Sequence, residues 1–198
     1  MSVIHLLLPL FGYLVGSVSS AILVSRVLGL PDPRSSGSRN PGATNVLRLG
    51  GKKAAAITLV GDVLKGTVPV LVAGISGASP LIVAATGLGA FLGHVFPVFF
   101  GFRGGKGVAT AAGVLLAISW PGCLILVVTW LLMAALFRYS SLAALIASAL
   151  SPGVLWWLGL DRWFVLLAVV MAALLIWRHR ANISRLLRGE ESRIRLKK

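Results

Sequence analysis

Gly101-Phe102-Arg103-Gly104-Gly105-Lys106-Gly107 lies between two runs of almost pure hydrocarbon. Glycines let backbone N–H groups approach an anion, and Lys106 adds a point charge. The apolar run from Val108, if helical, also points the positive end of its dipole at this loop. The residue types suit the capture of an anion at a membrane surface. A short basic turn that merely obeys membrane topology would carry the same composition. The loop is not a Walker A motif, because only three residues separate Gly101 from Gly105 and Gly107 follows the lysine. ATP binding is therefore unsupported, while a simpler phosphate remains a suitable guest. Thr110, one turn into the next run, could add a hydroxyl.

A second polar stretch runs from Pro31 to Arg48. Ser38, Asn40, Thr44 and Asn45 can donate hydrogen bonds, and Arg48 offers a two-pronged fork for phosphate or carboxylate. Such a loop is also ordinary turn material, but that reading leaves unexplained so many donors beside a bilayer. A third stretch, Arg178 to Glu191, carries His179 and Asn182 at a spacing of three, neighbours on one face if the helix continues. A basic amphipathic helix on anionic lipid needs neither residue. Asp62 and Lys65 share that spacing inside an apolar run, where pairing lowers the cost of each charge; they could also line a polar cavity, and structural pairing and substrate contact are equally open readings. His94 reads as a polar packing residue. The Trp156, Trp157 and Trp163 cluster reads as an interfacial belt.

These residues must be positioned by membrane-spanning helices. The chain has 198 residues, of which 57% are hydrophobic and 12% charged. A soluble domain carries about 25% charged residues. Mean hydropathy is +0.93. Seven apolar segments can be marked, at 3–24, 54–74, 81–100, 108–120, 123–137, 141–158 and 163–177. The expected fold is all-α, a single integral-membrane domain over residues 1–198 with about seven transmembrane helices. The fourth and fifth segments fall short of the roughly 20 residues a span needs. Pro121-Gly122 is the expected break between them, and Pro152-Gly153 an expected kink in the sixth. The first segment reads as a retained helix, since no basic residue precedes it.

The net charge is +14, from 19 Lys and Arg against 5 Asp and Glu. Alternating the loops puts every basic residue except Lys65 and Arg162 on one side. The positive-inside rule makes that side cytoplasmic, with the N-terminus outside and the C-terminus in the cytoplasm. The charge is thus accounted for by topology, and a nucleic-acid partner is not expected. The polar stretches above, with the Arg138–Ser141 turn, fall on that same side. Cys123 is the only cysteine, so an intrachain disulfide is excluded. The three histidines are scattered and no His-Glu-x-x-His pattern occurs, so no metal site is expected.

Three ordered segments resemble signatures of the PlsY family, the bacterial membrane acyltransferases that use acyl phosphate and glycerol 3-phosphate. They are Gly37-Ser38-Arg39-Asn40-Pro41-Gly42-Ala43-Thr44-Asn45 with Arg48; Phe96-Pro97 through Gly104-Gly105-Lys106-Gly107-Val108-Ala109-Thr110; and Arg178-His179, Asn182-Ile183, Arg185-Leu186, Gly189 and Glu191. Arg39 stands where the family often has glycine. The resemblance implies a seven-helix fold with a cytoplasmic active site in the bacterial inner membrane. It implies transfer of a fatty acyl group to glycerol 3-phosphate, giving 1-acylglycerol 3-phosphate and phosphate, the first step of phospholipid synthesis. It gives Gly104, Gly105, Lys106 and Gly107 the role of binding the glycerol-3-phosphate phosphate. Arg48, Ser141, His179 and Asn182 match substrate-contacting positions.

For this chemistry acyl phosphate is already activated, so no protein nucleophile or cofactor is needed. Ser38, Asn40, Thr44 and the glycine amides would stabilise charge on the leaving phosphate and oxyanion. Either His179 or the leaving phosphate would take the proton. Expected partners are the two substrates, membrane lipid and the enzyme that forms acyl phosphate. The His-x-x-x-x-Asp pattern of many acyl-CoA acyltransferases is absent, since Leu10, Phe99 and Ser184 stand five beyond the histidines. A transporter of phosphorylated metabolites is the non-enzyme alternative. Against it, the candidate ligand residues favour one side and no inverted repeat is visible.

Overall fold

The structure, a computed structural model, describes residues 3–194. Arg195, Lys197 and Lys198, counted in the basic tail, lie outside them. Among the described residues every apolar segment is helical and no strand occurs. The helices are α1 (Val3–Gly16), α2 (Ser20–Val27), α3 (Ala43–Ile75), α4 (Pro80–Val95), α5 (Val108–Ile118), α6 (Trp120–Phe137), α7 (Ser140–Trp157), α8 (Arg162–Arg178) and α9 (Arg180–Leu187). A single 3₁₀ turn at Val98–Phe100 follows α4. The chain packs as two compact units, the first ending at Ile118 and the second beginning at Ser119.

The first unit is built on backbone-to-backbone contact. Lipid tails are as apolar as leucine, so helix association in a bilayer depends on close packing, which small residues permit. A side chain at Gly12 or Gly16 of α1 would overlap the Thr86 or Ala90 carbonyl oxygen of α4. Gly89 and Gly93 of α4 stand in the same relation to the Pro9 and Tyr13 carbonyls. Gly66 of α3 and Gly113 of α5 abut the Thr110 and Val63 carbonyls, which seats α5 on α3. In the second unit α7 packs between α6 and α8.

Two expected boundaries move. The first segment is not one helix, since the chain breaks between α1 and α2 at Ser17-Val18-Ser19. The break between the fourth and fifth segments falls at Ser119, not at Pro121-Gly122. Ser119 Oγ accepts from the Gly122 N–H at 3.2 Å, capping α6, and Pro121 occupies its first turn. Proline lacks only an N–H that has no helical partner there, so it starts this helix instead of ending one. Pro152 sits inside α7, which runs as one element to Trp157.

By length and apolarity five stretches can cross a membrane: His5–Val27, Ala43–Ile75, Pro80–Phe100, Trp120–Phe137 and Ser140–Trp157. The pair α8 and α9, bent by 59°, makes a sixth. At about 1.5 Å per residue α5 is only about 16 Å long, well short of the roughly 30 Å hydrocarbon core.

Candidate active site

The loop before α3 is organised by one buried amide. Asn45 Oδ1 accepts from the Ser38 N–H at 2.8 Å, and its Nδ2 donates to the Pro33 and Ser36 carbonyls at 3.0 and 2.9 Å. Asn45 therefore spends its side chain on holding the loop and is no substrate donor. Asp32 accepts from the backbone and guanidinium of Arg34, and those hydrogen bonds keep its carboxyl below the usual range. Gly37 turns the chain at φ +62, where a side chain would overlap Asn45 Oδ1. Arg39 adopts the left-handed conformation at φ +55, which suits glycine better.

This scaffold leaves Ser38 and Thr44 exposed and Asn40 half-buried. Thr44 lies in the first turn of α3, with Arg48 one turn on and also exposed. Residues four apart share a helix face, so one face presents a hydroxyl, a guanidinium and a helix N-terminus.

The Gly101–Gly107 loop ends directly before α5, as expected. Its glycines, however, answer to what lies beneath them. A side chain at Gly104 would overlap the His94 carbonyl and come within 2.6 Å of the Val95 carbonyl. At Gly107, where φ is +90, it would overlap the Phe91 ring. At Gly105 it would overlap His94 Nε2 and lie 2.9 Å from the Pro41 carbonyl. Gly105 thus sits where the two loops meet. Its N–H donates to the His94 carbonyl at 3.1 Å, so this amide is committed to the fold and not to an anion. Lys106, between two buried glycines, is half-buried.

Beneath that loop lies a charged group that sequence reasoning left divided between pairing and substrate contact. Lys65 Nζ is 2.8 Å from Asp62 Oδ1 and also donates to the Val18 carbonyl at 2.9 Å. His94 Nδ1 approaches the same Asp62 oxygen at 3.6 Å. All three side chains are buried.

In the second unit the structure gathers Ser141 and Asn182 around a residue that received no role from the sequence. Ser141 Oγ and Asn182 Nδ2 both donate to Glu191 Oε1, at 2.8 and 2.7 Å, and Arg185 Nε donates to Oε2 at 2.7 Å. Burial alone would raise the Glu191 carboxyl. The hydrogen bonds from Asn182, Ser141 and Arg185, with the Arg185 charge, outweigh it and hold the carboxyl below its usual value. The available signals were its place in the third family-like segment and its being an acid within a strongly basic tail.

His179 stands at the bend between α8 and α9, so the helix does not continue through it. It stays buried, as does Asn182. His179 Nδ1 lies 2.8 Å from the Leu175 carbonyl. A carbonyl can only accept, so Nδ1 carries the proton and Nε2 keeps a lone pair in the neutral ring. Among the described residues no three of His, Cys, Asp and Glu come together as a metal centre requires.

The chain matches the sequence model of the family described as glycerol-3-phosphate acyltransferase over residues 6–189. It is 62% identical over 188 residues to the glycerol-3-phosphate acyltransferase of Thioalkalivibrio sulfidiphilus, covering 94% of this chain and 92% of that one. It is 57% identical over 199 residues to that of Methylococcus capsulatus, with both chains covered in full. Its fold matches a crystal structure of PlsY, an integral membrane glycerol 3-phosphate acyltransferase, in its glycerol 3-phosphate form. The TM-score is 0.93 at 42% identity, covering 96% of each chain. The lysophosphatidic acid form of PlsY matches with a TM-score of 0.90 at 41% identity, over 96% of this chain and 94% of that one.

Proposed function

This chain belongs to the glycerol-3-phosphate acyltransferase family, and from that premise we propose that it moves a fatty acyl group from acyl phosphate to the 1-hydroxyl of glycerol 3-phosphate. The products are 1-acylglycerol 3-phosphate and inorganic phosphate. The observation that carries the reading is the meeting of two basic, glycine-rich loops at Gly105, one of them running into α3 and the other into α5. Both loops suit phosphate, as two phosphorylated substrates require. The solved relative's glycerol 3-phosphate and lysophosphatidic acid forms correspond to the acceptor and the product of this reaction.

In this reading the acceptor hydroxyl oxygen attacks the acyl carbonyl carbon. A new ester C–O bond forms, and the bond from that carbon to the phosphate oxygen breaks. The bonding pair leaves with the phosphate, and His179 Nε2 takes the hydroxyl proton. Ser38, Asn40 and Thr44 donate to charge growing on the leaving phosphate and oxyanion. Arg48 and Lys106, with the backbone of Gly104 and Gly107, hold substrate phosphate, and Gly105, its amide given to the His94 carbonyl, sets the shape of that cradle. Ser141 and Asn182 contact substrate as the family resemblance implies. Catalysis then comes chiefly from orientation and fixed donors, since acyl phosphate needs no further activation.

The charge distribution supports placing this chemistry at the cytoplasmic face of the inner membrane, with the N-terminus outside and the C-terminus inside. The family match extends across both compact units, which supports a single acyltransferase domain over residues 1–198. Detergent-purified protein supplied with acyl phosphate and glycerol 3-phosphate tests the reading. Phosphate release with formation of 1-acylglycerol 3-phosphate, without ATP or CoA, is expected. Acylation from acyl-CoA but not from acyl phosphate would overturn the donor assignment.

A further inference from the structure

We propose that His94, held by Asp62, is a positioning residue that sets the Gly104–Gly107 loop for glycerol 3-phosphate. The proposal rests on the reading of that loop as the acceptor site.

The Asp62–Lys65 contact already forms a neutral buried pair, and Lys65 gains a further acceptor in the Val18 carbonyl at the break between α1 and α2. Neutralising a charge within the membrane therefore does not call for a third ionisable group. Yet His94 brings Nδ1 to within 3.6 Å of Asp62 Oδ1. Its opposite ring edge, Nε2, fills the space where a Gly105 side chain would otherwise lie. Its carbonyl takes the Gly105 N–H at 3.1 Å, and a side chain at Gly104 would overlap that same carbonyl. His94 therefore grips the loop through both main chain and ring. The ring is a rigid spacer between a fixed carboxylate and the backbone of the loop. Across Gly105 lies Pro41, so the same contact sets the distance between the two glycine-rich loops.

A shorter side chain would let the loop settle toward α4, misplacing Lys106 and the amides around it. The acceptor would bind more weakly, while the donor and the chemical step would be largely spared.

The test measures KM for each substrate and kcat in wild type, His94→Asn, His94→Gln and the double variant Asp62→Asn with Lys65→Gln. His94→Asn keeps a polar atom toward Asp62 but withdraws from Gly105. The double variant leaves no unpaired buried charge, so it separates positioning from charge balance. His94→Asn and the double variant are expected to raise KM for glycerol 3-phosphate at least tenfold, with KM for the acyl donor within twofold and kcat within threefold of wild type. His94→Gln, close to the imidazole in reach, should stay within threefold throughout. Thermal unfolding in detergent accompanies each measurement. If His94→Asn does not fold, His94→Gln against the double variant carries the same contrast. An unchanged acceptor KM in the folded double variant and the folded His94 variants overturns the proposal. So does a parallel loss of Tm and of affinity for both substrates, which would mark a purely structural role. Wild-type protein that does not acylate glycerol 3-phosphate would instead overturn the functional reading beneath it.

Discussion

Asn182 donates to Glu191 Oε1 at 2.7 Å and so ties the C-terminal segment to α9. Ser141, fifty residues earlier in the chain, donates to the same oxygen. Two residues proposed to contact substrate are thus oriented by one carboxylate.

Removing that carboxylate takes an acceptor from three donors, of which Ser141 and Asn182 are buried. An unsatisfied buried polar group costs about 1–3 kcal/mol. Glu191→Ala is expected to lower Tm in detergent by several degrees and to reduce activity. Glu191→Gln keeps an acceptor for Ser141 and Asn182 and should lose less. An unchanged Tm in Glu191→Ala would show that this cluster does not order the tail.

The same carboxyl gives a pH dependence. Its value in the folded protein is held below the ordinary one, chiefly by hydrogen bonds that outweigh burial. A depressed carboxyl contributes stability that is fully present above its unfolded value, about 4.3, and is lost as pH falls through the lower folded value. Between pH 6 and 8 (roughly, on that value) Glu191 should therefore add no slope to stability. Below about pH 4.3 wild type should lose stability more steeply than Glu191→Gln, in unfolding curves taken across that range.

His179 is expected to be the proton acceptor. Its Nδ1 is engaged by the Leu175 carbonyl, leaving Nε2 as the basic nitrogen. His179→Gln should lower kcat by about 10²-fold or more at saturating substrate. Turnover within threefold of wild type would instead assign the proton to the leaving phosphate.

Lys106 is the cation set among Gly104, Gly105 and Gly107, which shape this part of the loop. Lys106→Ala should raise KM for glycerol 3-phosphate by about tenfold or more, as loss of a charged hydrogen bond predicts. The far-ultraviolet spectrum and Tm should stay near wild type, because the packing beneath the loop is made by Gly104, Gly105 and Gly107. A collapse of Tm would show the lysine to be structural.

Arg39 occupies left-handed backbone at φ +55 and is exposed. Arg39→Gly relieves a strain of roughly 1–2 kcal/mol while adding some chain entropy to the unfolded state. A net gain of about 0.5–1 kcal/mol, a rise of about 1–4 °C in Tm, is expected. A fall in Tm would mean that the guanidinium contributes more than the strain costs.

The sequence alone determined the class of molecule, its helical segments and the identity of the loops able to hold an anion. Those properties are local: hydrocarbon runs must be helical in lipid, and proline, glycine and asparagine shape the turns beside them. The distribution of lysine and arginine suggested a side of the membrane for the same reason. Tertiary structure alone decided what each polar residue faces. Asn45 looked like a substrate donor and proved to be the organiser of its loop. The glycines of the 101–107 loop looked like room for an anion, and three of them proved to be room for His94, Pro41 and Phe91. Glu191 gained a role only when Ser141, fifty residues away, met it. Such contacts join residues far apart in the chain. Neither periodicity nor local propensity encodes those distances, and only the packing of helices on one another sets them.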